Sequence, residues 1–375
     1  MKIGCPKESK DQEFRVALTP KSVKALVADG HEVWIERQAG HGISCSDEDY
    51  ERAGAKIADN ADELFAAVEL IVKVKEPNHT ERQRLQREHT LFTYLHLASD
   101  PEQTKELMES DAVCIAYETV TDERGGLPLL TPMSEIAGRL SVQEAAAHLG
   151  SHHGGRGVLL GGATGVPAAH VVIVGGGVVG KNACKIAVGL GAKVTLLDKS
   201  EARLDELKAQ YGERVDCVVS NGETLERYAM EADLLVGAVL VPGGAAAKLL
   251  SAELVKKMKP GAVIADVAID QGGCCEHSRP TTHENPTFVV DGVIHYCVAN
   301  IPGAVPKTAS EALNNATLPF VREIANKGVY AALKENSHLL AGLNVCRGKL
   351  TRPEVAEDLK LDYTDAETAL QELAS

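Results

Sequence analysis

An unbroken apolar run, Val171-Val172-Ile173-Val174, leads straight into Gly175-Gly176-Gly177-Val178-Val179-Gly180. A buried strand, a G-x-G-x-x-G turn and an amphipathic helix, in that order, leave few folds open. The three glycines of the pattern serve different physical ends. Gly175 permits the tight turn, Gly177 lets the backbone approach a pyrophosphate, and Gly180 lets the helix pack close to its strand. The helix that starts at Val178 then offers free N–H groups and the positive end of its dipole to phosphate. A glycine-rich turn alone matches this pattern too easily to identify a cofactor. Here a second strand, Lys193-Val194-Thr195-Leu196-Leu197, ends in Asp198, close to the expected ~20 residues downstream. Its carboxylate can accept hydrogen bonds from a ribose 2′-hydroxyl and would repel a 2′-phosphate, so NAD is favoured over NADP. Arg203, one turn into the next helix, weakens that preference slightly: a cation there can hold a 2′-phosphate or simply neutralise Asp198.

Further apolar segments follow at 193–197, 216–219, 234–239, 262–268 and 293–298. With 171–174 they suffice for a complete doubly wound sheet. The first third of the chain has the same βαβ rhythm, with strands expected at 33–35, 70–75, 91–95 and 112–117. Thr19-Pro20 opens a helix there and Gly30 closes it. Two long helices are expected, 133–149 and 308–327. The first could bridge two domains, and the second returns the chain to the first domain. The glycine-rich stretch 154–166 cannot form a packed helix and is expected as a loop against the other domain or the cofactor. The remainder, to residue 375, reads as helical and polar. The expected fold class is α/β with two domains, one a Rossmann-type doubly wound parallel sheet, the other an α/β domain of related βαβ character.

Length and charge bound the function. At 375 residues the chain can bury two cores. Its 34 glycines and scarce aromatics suit parallel α/β architecture better than an aromatic-rich β-sandwich. A formal net charge of −14 repels phosphate backbones and anionic lipid, so neither nucleic acid nor a membrane is an expected partner. An anionic substrate then needs a local cationic pocket. The nine cysteines are odd in number and lack framework spacing. Met1-Lys2-Ile3-Gly4-Cys5-Pro6 has no apolar signal-peptide core, and no apolar run reaches membrane-spanning length unbroken. A cytoplasmic protein with reduced thiols is expected.

In open α/β sheets ligands sit at the carboxyl ends of the strands. Lys75, His96, Asp270 and Asn300 each end or directly follow an expected strand, and Arg15 lies just after the first strand and its loop. A cleft between the domains would bring them to a nicotinamide. Alternatives stand beside each: a surface Arg15 paired with Glu13, Lys75 paired with Glu76, a satisfied and partly buried His96, and Asp270 capping the Gly272-Gly273 turn. As a set, Arg, Lys, His and Asp are what oxidative deamination needs: an anion clamp, a carbonyl polariser and two proton-transfer groups. Cys274-Cys275 with Glu276, His277 and His283 fits no standard zinc spacing, so no metal site is expected. The stretch 102–109 reads as a solvated helix face.

Many ordered motifs carry a resemblance. Gly4-Cys5-Pro6-Lys7-Glu8, Arg15-Val16-Ala17-Leu18-Thr19-Pro20, Lys73-Val74-Lys75-Glu76-Pro77 and Phe92-Thr93-Tyr94-Leu95-His96 stand in the first third. Met133-Ser134-Glu135-Ile136-Ala137-Gly138-Arg139, Gly154-Gly155-Arg156-Gly157-Val158-Leu159-Leu160-Gly161-Gly162 and the Val171 to Gly180 segment follow. Asp266-Val267-Ala268-Ile269-Asp270-Gln271-Gly272-Gly273 and Asn300-Ile301-Pro302-Gly303-Ala304-Val305-Pro306 complete the set. Over essentially its full length the chain resembles the bacterial alanine dehydrogenases. The resemblance implies a homohexamer that interconverts L-alanine with pyruvate and ammonium, using NAD. It also implies an NAD domain, 131–306, inserted within a discontinuous substrate domain, 1–130 and 307–375. By the same resemblance Arg15 and Lys75, with Asn300, bind substrate, while His96 and Asp270 carry the acid/base chemistry. Ser134, Gly175, Gly177, Val178, Gly180, Asp198, Arg203, Ser220, Val239 and Leu240 would line the dinucleotide site. So would Val267-Ala268-Ile269-Asp270 and Val298-Ala299-Asn300-Ile301. In this family Lys is common where the chain has Arg203, and the continuation Ala163-Thr164-Gly165-Val166-Pro167 is slightly unlike the family pattern. Weaker resemblances link the chain to the NAD-binding subunit of proton-translocating transhydrogenase and to the saccharopine dehydrogenases. A non-catalytic NAD sensor is the reading from a different class.

Overall fold

Strand β1 (Lys2–Cys5) pairs in parallel with β2 (Glu32–Glu36) on one side and β4 (Leu70–Val72) on the other. Extending both ways with β3 (Lys56–Ala58), β5 (Thr90–Thr93) and β6 (Val113–Ala116) gives the parallel order β3-β2-β1-β4-β5-β6. Runs such as Leu70-Ile71-Val72 are apolar throughout because helices cover both faces of such a sheet. The structure, a computed structural model, describes residues 1–239 and 246–373. It divides into two compact units, Met1–Pro132 with Val305–Ser375, and Met133–Ala304.

The second unit repeats this winding. Its strands are β7 (His170–Val174), β8 (Lys193–Asp198), β9 (Val215–Val219), β10 (Leu234–Gly237), β11 (Val263–Asp266), β12 (Thr287–Val290) and β13 (Val293–Tyr296). The order β9-β8-β7-β10-β11-β13 is parallel, and β12 is antiparallel at the edge. The chain leaves β7 toward β8 and β9, then crosses back to β10 on the other side of β7. The gap between β7 and β10 is therefore the topological switch point.

Three expectations need correction. The C-terminal stretch is not wholly helical and polar: β14 (Leu343–Cys346) is buried, pairs antiparallel with β6, and turns into β15 (Lys349–Leu350). A four-residue strand is too short to show a period. The turn between β14 and β15 is a two-residue hairpin, with Arg347 and Gly348 at φ of 50° and 79°. The same geometry at Asp291-Gly292 (φ 51° and 77°) makes the hairpin that adds the unexpected β12. The glycine-rich stretch 154–166 is a loop as expected, but it does not face the glycine turn. It packs at the amino edge of the second sheet, where a Cβ on Gly161 would stand 2.5 Å from the Leu190 carbonyl. There Arg156 Nη1 donates to the Pro260 carbonyl at 3.2 Å.

The long helices run Thr131–His148 and Pro306–Lys327. The second closes the first unit onto its own N-terminal segment. Ser310 Oγ accepts from Val16 N at 2.9 Å, and Asn314 Oδ1 accepts from Thr19 N at 2.8 Å and Ser22 Oγ at 2.7 Å. The segment that carries Arg15 is thus pinned by residues some 290 positions away, and the C-terminal part belongs to the same core.

His295, on β13, has no exposure, and neither ring nitrogen has a hydrogen-bond partner among the described residues. Its ring stacks on Phe288 with centroids 5.0 Å apart. Burial holds the imidazole down to about 4 from its ordinary 6.5. Between those pH values the unfolded chain gains a proton that the folded chain refuses, so stability falls as pH falls and levels off below about 4. At about 1.4 kcal/mol per pH unit, the loss is about 3 kcal/mol. Urea unfolding of His295→Leu should show a shallower acid slope than the parent, and an equal slope would show that the buried imidazole is solvated.

Candidate functional site

In the second unit every parallel strand ends at the same edge. β7 delivers the glycine turn there, β8 Asp198, β9 Ser220, β10 Ala238 and Val239, β11 the turn Val267–Gln271, and β13 the segment that reaches Asn300. The glycines act as their spacing implies. Gly175 takes φ +104°, and a Cβ there would stand 2.6 Å from the Ala238 carbonyl, at the switch point. A Cβ on Gly180 would lie 1.8 Å from the Gly175 carbonyl oxygen. Gly177 faces open space, and as N-cap of the helix Val178–Gly189 it supplies no side-chain acceptor, so the first N–H groups are left for a ligand. Asp198 Oδ2 accepts from Gly176 N at 2.6 Å and Oδ1 from Ser200 N at 2.8 Å. A carboxylate accepts about four bonds, so capacity remains for ribose hydroxyls. These features fit a dinucleotide.

Arg203 pairs with Glu206 at 3.5 Å, and among the described residues no ion pair joins it to Asp198. Ser134 is half-buried on the helix Thr131–His148. Leu240 lies outside the described residues. Asp270 is exposed on the Val267–Gln271 turn and does not cap Gly272-Gly273. Asp266 organises that region: buried, it accepts from Ala268 N at 3.1 Å and Cys274 N at 2.8 Å, and also holds Ser278 Oγ. Asn300 takes φ 61°, with its carbonyl accepting from Gly303 N at 2.8 Å. Cys274 and Cys275 belong to the core of this unit. Burial raises the Cys274 thiol well above the usual range.

If Asp198 accepts from the ribose, Asp198→Ala removes that acceptor and the repulsion of a 2′-phosphate. Discrimination against NADP, read as the ratio of kcat/KM values, should fall by a factor of about 10 or more, a scale of about 1.4 kcal/mol. An unchanged ratio would remove Asp198 from the ribose site.

In the first unit the carboxyl edge carries the cationic groups. Arg15, 2 % exposed, is no surface arginine. Glu13 receives its Nε at 2.7 Å and Nη2 at 2.5 Å, so the guanidinium is held as a fork. Lys75 follows β4 and has no ion-pair partner among the described residues, because Glu76 is taken by Lys10. His96 follows β5 with φ 49° and ψ 45°, and its side chain is 47 % exposed, more open than the alternative of a satisfied, partly buried histidine. The Tyr94 ring stacks on it at 5.9 Å, with the phenol donating to the Leu129 carbonyl at 2.6 Å.

Sequence reasoning passed over the carboxylates beneath these groups. Glu8 accepts from Val74 N at 2.7 Å and Lys75 N at 3.3 Å, and lies 3.4 Å from Lys73 Nζ. Lys73 also donates to Glu81 at 2.8 Å, and all three side chains are buried. Burial pushes Glu8 up, and Lys73 pulls it back. The motif Gly4-Cys5-Pro6-Lys7-Glu8 held that signal, but nothing in it names a partner 66 residues on. Among the described residues, potential metal-ligand atoms converge at His79, Glu102 and Glu106, where Glu106 is already taken by His79 and Arg82.

A doubly wound sheet with a phosphate-ready helix terminus, and a second such unit with buried cationic groups at its carboxyl edge, define a dinucleotide-dependent α/β oxidoreductase. The chain belongs to the alanine dehydrogenase/PNT family. The model of that family's N-terminal domain matches residues 4–137 and that of its C-terminal domain residues 141–353. The chain is 54 % identical over 366 residues to the alanine dehydrogenase of Halomonas elongata, covering 98 % of this chain and 99 % of that protein. A solved L-alanine dehydrogenase superposes with a TM-score of 0.93 at 52 % identity, covering 96 % of this chain and 99 % of that one. A transhydrogenase from Sinorhizobium meliloti shares the fold at a TM-score of 0.79 and 24 % identity, over 94 % of this chain and 99 % of that one.

Proposed function

We propose that this protein catalyses the reversible, NAD-dependent oxidative deamination of L-alanine: L-alanine, NAD⁺ and water give pyruvate, ammonium, NADH and a proton. The observation that carries the reading is 54 % identity to an alanine dehydrogenase over 98 % of the chain. The unit Met133–Ala304 is the NAD domain, and the unit of two segments is the substrate domain. Gly175, Gly177, Gly180, Asp198, Ser134 and Ser220, with the backbone after β11 and β13, would hold the dinucleotide. Bound NAD supplies a hydride acceptor.

The chain's own residues do the rest. Arg15 grips the substrate carboxylate, its guanidinium oriented by Glu13. Lys75, with no ion-pair partner among the described residues, donates to the carbonyl oxygen and stabilises charge developing there. Histidine alternates between base and acid near neutral pH, so His96 removes a proton from attacking water and returns one as ammonia leaves. Asp270 orients the water or amine and relays a proton. The protein works as a homo-oligomer, a hexamer, in the cytoplasm. Supporting assembly, Leu159 and Val166 are 71 % and 59 % exposed. Nine free thiols support a reducing compartment. Among the described residues no helix is long and apolar enough to cross a membrane.

Steady-state NADH oxidation tests the reading. Pyruvate with ammonium should turn over, while pyruvate without ammonium, 2-oxoglutarate with ammonium, and NADPH as donor should be poor. Ammonium-independent oxidation, or preference for 2-oxoglutarate, would contradict it.

A further inference from the structure

At the end of β5 the chain runs out of sheet. Leu95 and His96 lie beyond the last β5·β6 pair, Thr93 with Ala116, so their N–H groups have no strand carbonyl to meet. One side chain meets both. Glu118, in the turn Tyr117–Thr119 after β6, accepts from Leu95 N at 3.1 Å and 3.2 Å through its two oxygens, and from His96 N at 2.6 Å. The carboxylate takes the place of the missing strand carbonyls. It does so where the backbone needs support, because His96 is left-handed at φ 49°, a region unfavourable for any residue with a Cβ.

The same carboxylate faces the ring. Glu118 Oε1 lies 3.8 Å from His96 Nδ1. That is too long for a hydrogen bond, but it places the negative charge on the Nδ1 side. A proton on Nδ1 is favoured, and Nε2 is left as the acceptor. The ring is held on its other side by Tyr94, stacked at 5.9 Å and 3°. Among the described residues of this unit, Glu118 pairs with the imidazole and Tyr94 stacks on it, and burial raises the Tyr94 phenol.

We infer that Glu118 is the positioning residue of the proton-transfer step: it fixes the backbone and the tautomer of His96 so that Nε2 is presented to substrate. The inference rests on the proposed role of His96. The hydrogen bonds and the ion pair of Glu118 go to Leu95 and His96 and not to Lys75, so substrate and cofactor affinity should not depend on Glu118.

Glu118→Gln is the test. The amide keeps the length and one acceptor, but sets an NH2 group where the second oxygen met an N–H. Expected results are a kcat lower by about 10- to 100-fold, as for loss of outer-shell partners elsewhere, with KM for alanine and NADH affinity within about twofold of the parent. The solvent deuterium isotope effect on kcat should rise, because the misaligned proton step becomes more limiting. If Glu118 merely stabilised the fold, kcat would fall with the fraction of NADH-binding sites and the isotope effect would not move; that result overturns the inference. Should Glu118→Gln fail to accumulate, Glu118→Asp, which keeps charge but not reach, is expected to show the same split. His96→Ala run alongside separates the claims. An active His96→Ala variant overturns the proton-transfer role, whereas an inactive one beside a normal Glu118→Gln overturns only the positioning role.

Discussion

Replacing His96 by Ala, or Asp270 by Asn, should lower kcat by a factor on the order of a thousand, the range of a lost general acid or base, while NADH still binds. Neither change threatens the fold. The His96 side chain is 47 % exposed, and its backbone is held by Glu118 rather than by its own imidazole. Asp270 is exposed, and the turn it sits on is tied down by Asp266 through Ala268, Cys274 and Ser278. A loss of turnover in these variants therefore reports chemistry. The double variant should be scarcely worse than either single one, because two groups that serve one proton transfer are not additive. Steady-state kinetics with NADH affinity from fluorescence gives the answer, and near-normal turnover in either single variant removes that residue from the mechanism.

The largest stability effect is expected at Lys73. This ammonium is buried between Glu8 and Glu81, and the same Glu8 carboxylate holds the N–H groups of Val74 and Lys75. Lys73→Met fills the space but strands two carboxylates without a cation. Breaking a buried ion pair on one side costs about 3–5 kcal/mol. The urea midpoint should drop accordingly, and KM for pyruvate should rise as the Lys75 backbone loosens. The penalty should shrink as pH falls, since Glu8, already pushed up by burial, can take up a proton and cease to be a stranded charge. An unfolding free energy within about 0.5 kcal/mol of the parent, the scale of an ordinary surface change, would mean that water reaches the network.

The cofactor edge was readable because its signal is local. Strand, glycines and helix are contiguous, and Asp198 follows at the distance that one helix imposes. The strand-end positions of Lys75 and His96 were readable for a similar reason, since an apolar run announces where it stops. The carboxylates that support them were not. Glu118 meets His96 across 22 residues, Glu8 meets Val74 across 66, and Ser310 meets Val16 across 294; each pairing exists only once the sheet is assembled. Asp266 and Asp270 show the same divide at close range. Both stand in one motif, and only the fold tells which carboxylate is buried in the turn and which is exposed. Strands β12, β14 and β15 escaped because two to four residues carry no period. Of their turns only Asp291-Gly292 carries a hairpin dipeptide that a sequence can show.

In the proposed reaction the hydride comes from the α-carbon of alanine. Incubating the protein with L-[2-²H]alanine and NAD, and analysing dinucleotide, keto acid and ammonium together, tests it most directly. Deuterated NADH, pyruvate and ammonium should form in equal amounts, and all three should be lost together in His96→Ala and Asp270→Asn. NADH without deuterium, or a reduced dinucleotide formed only when a second dinucleotide is supplied, would contradict the proposed reaction.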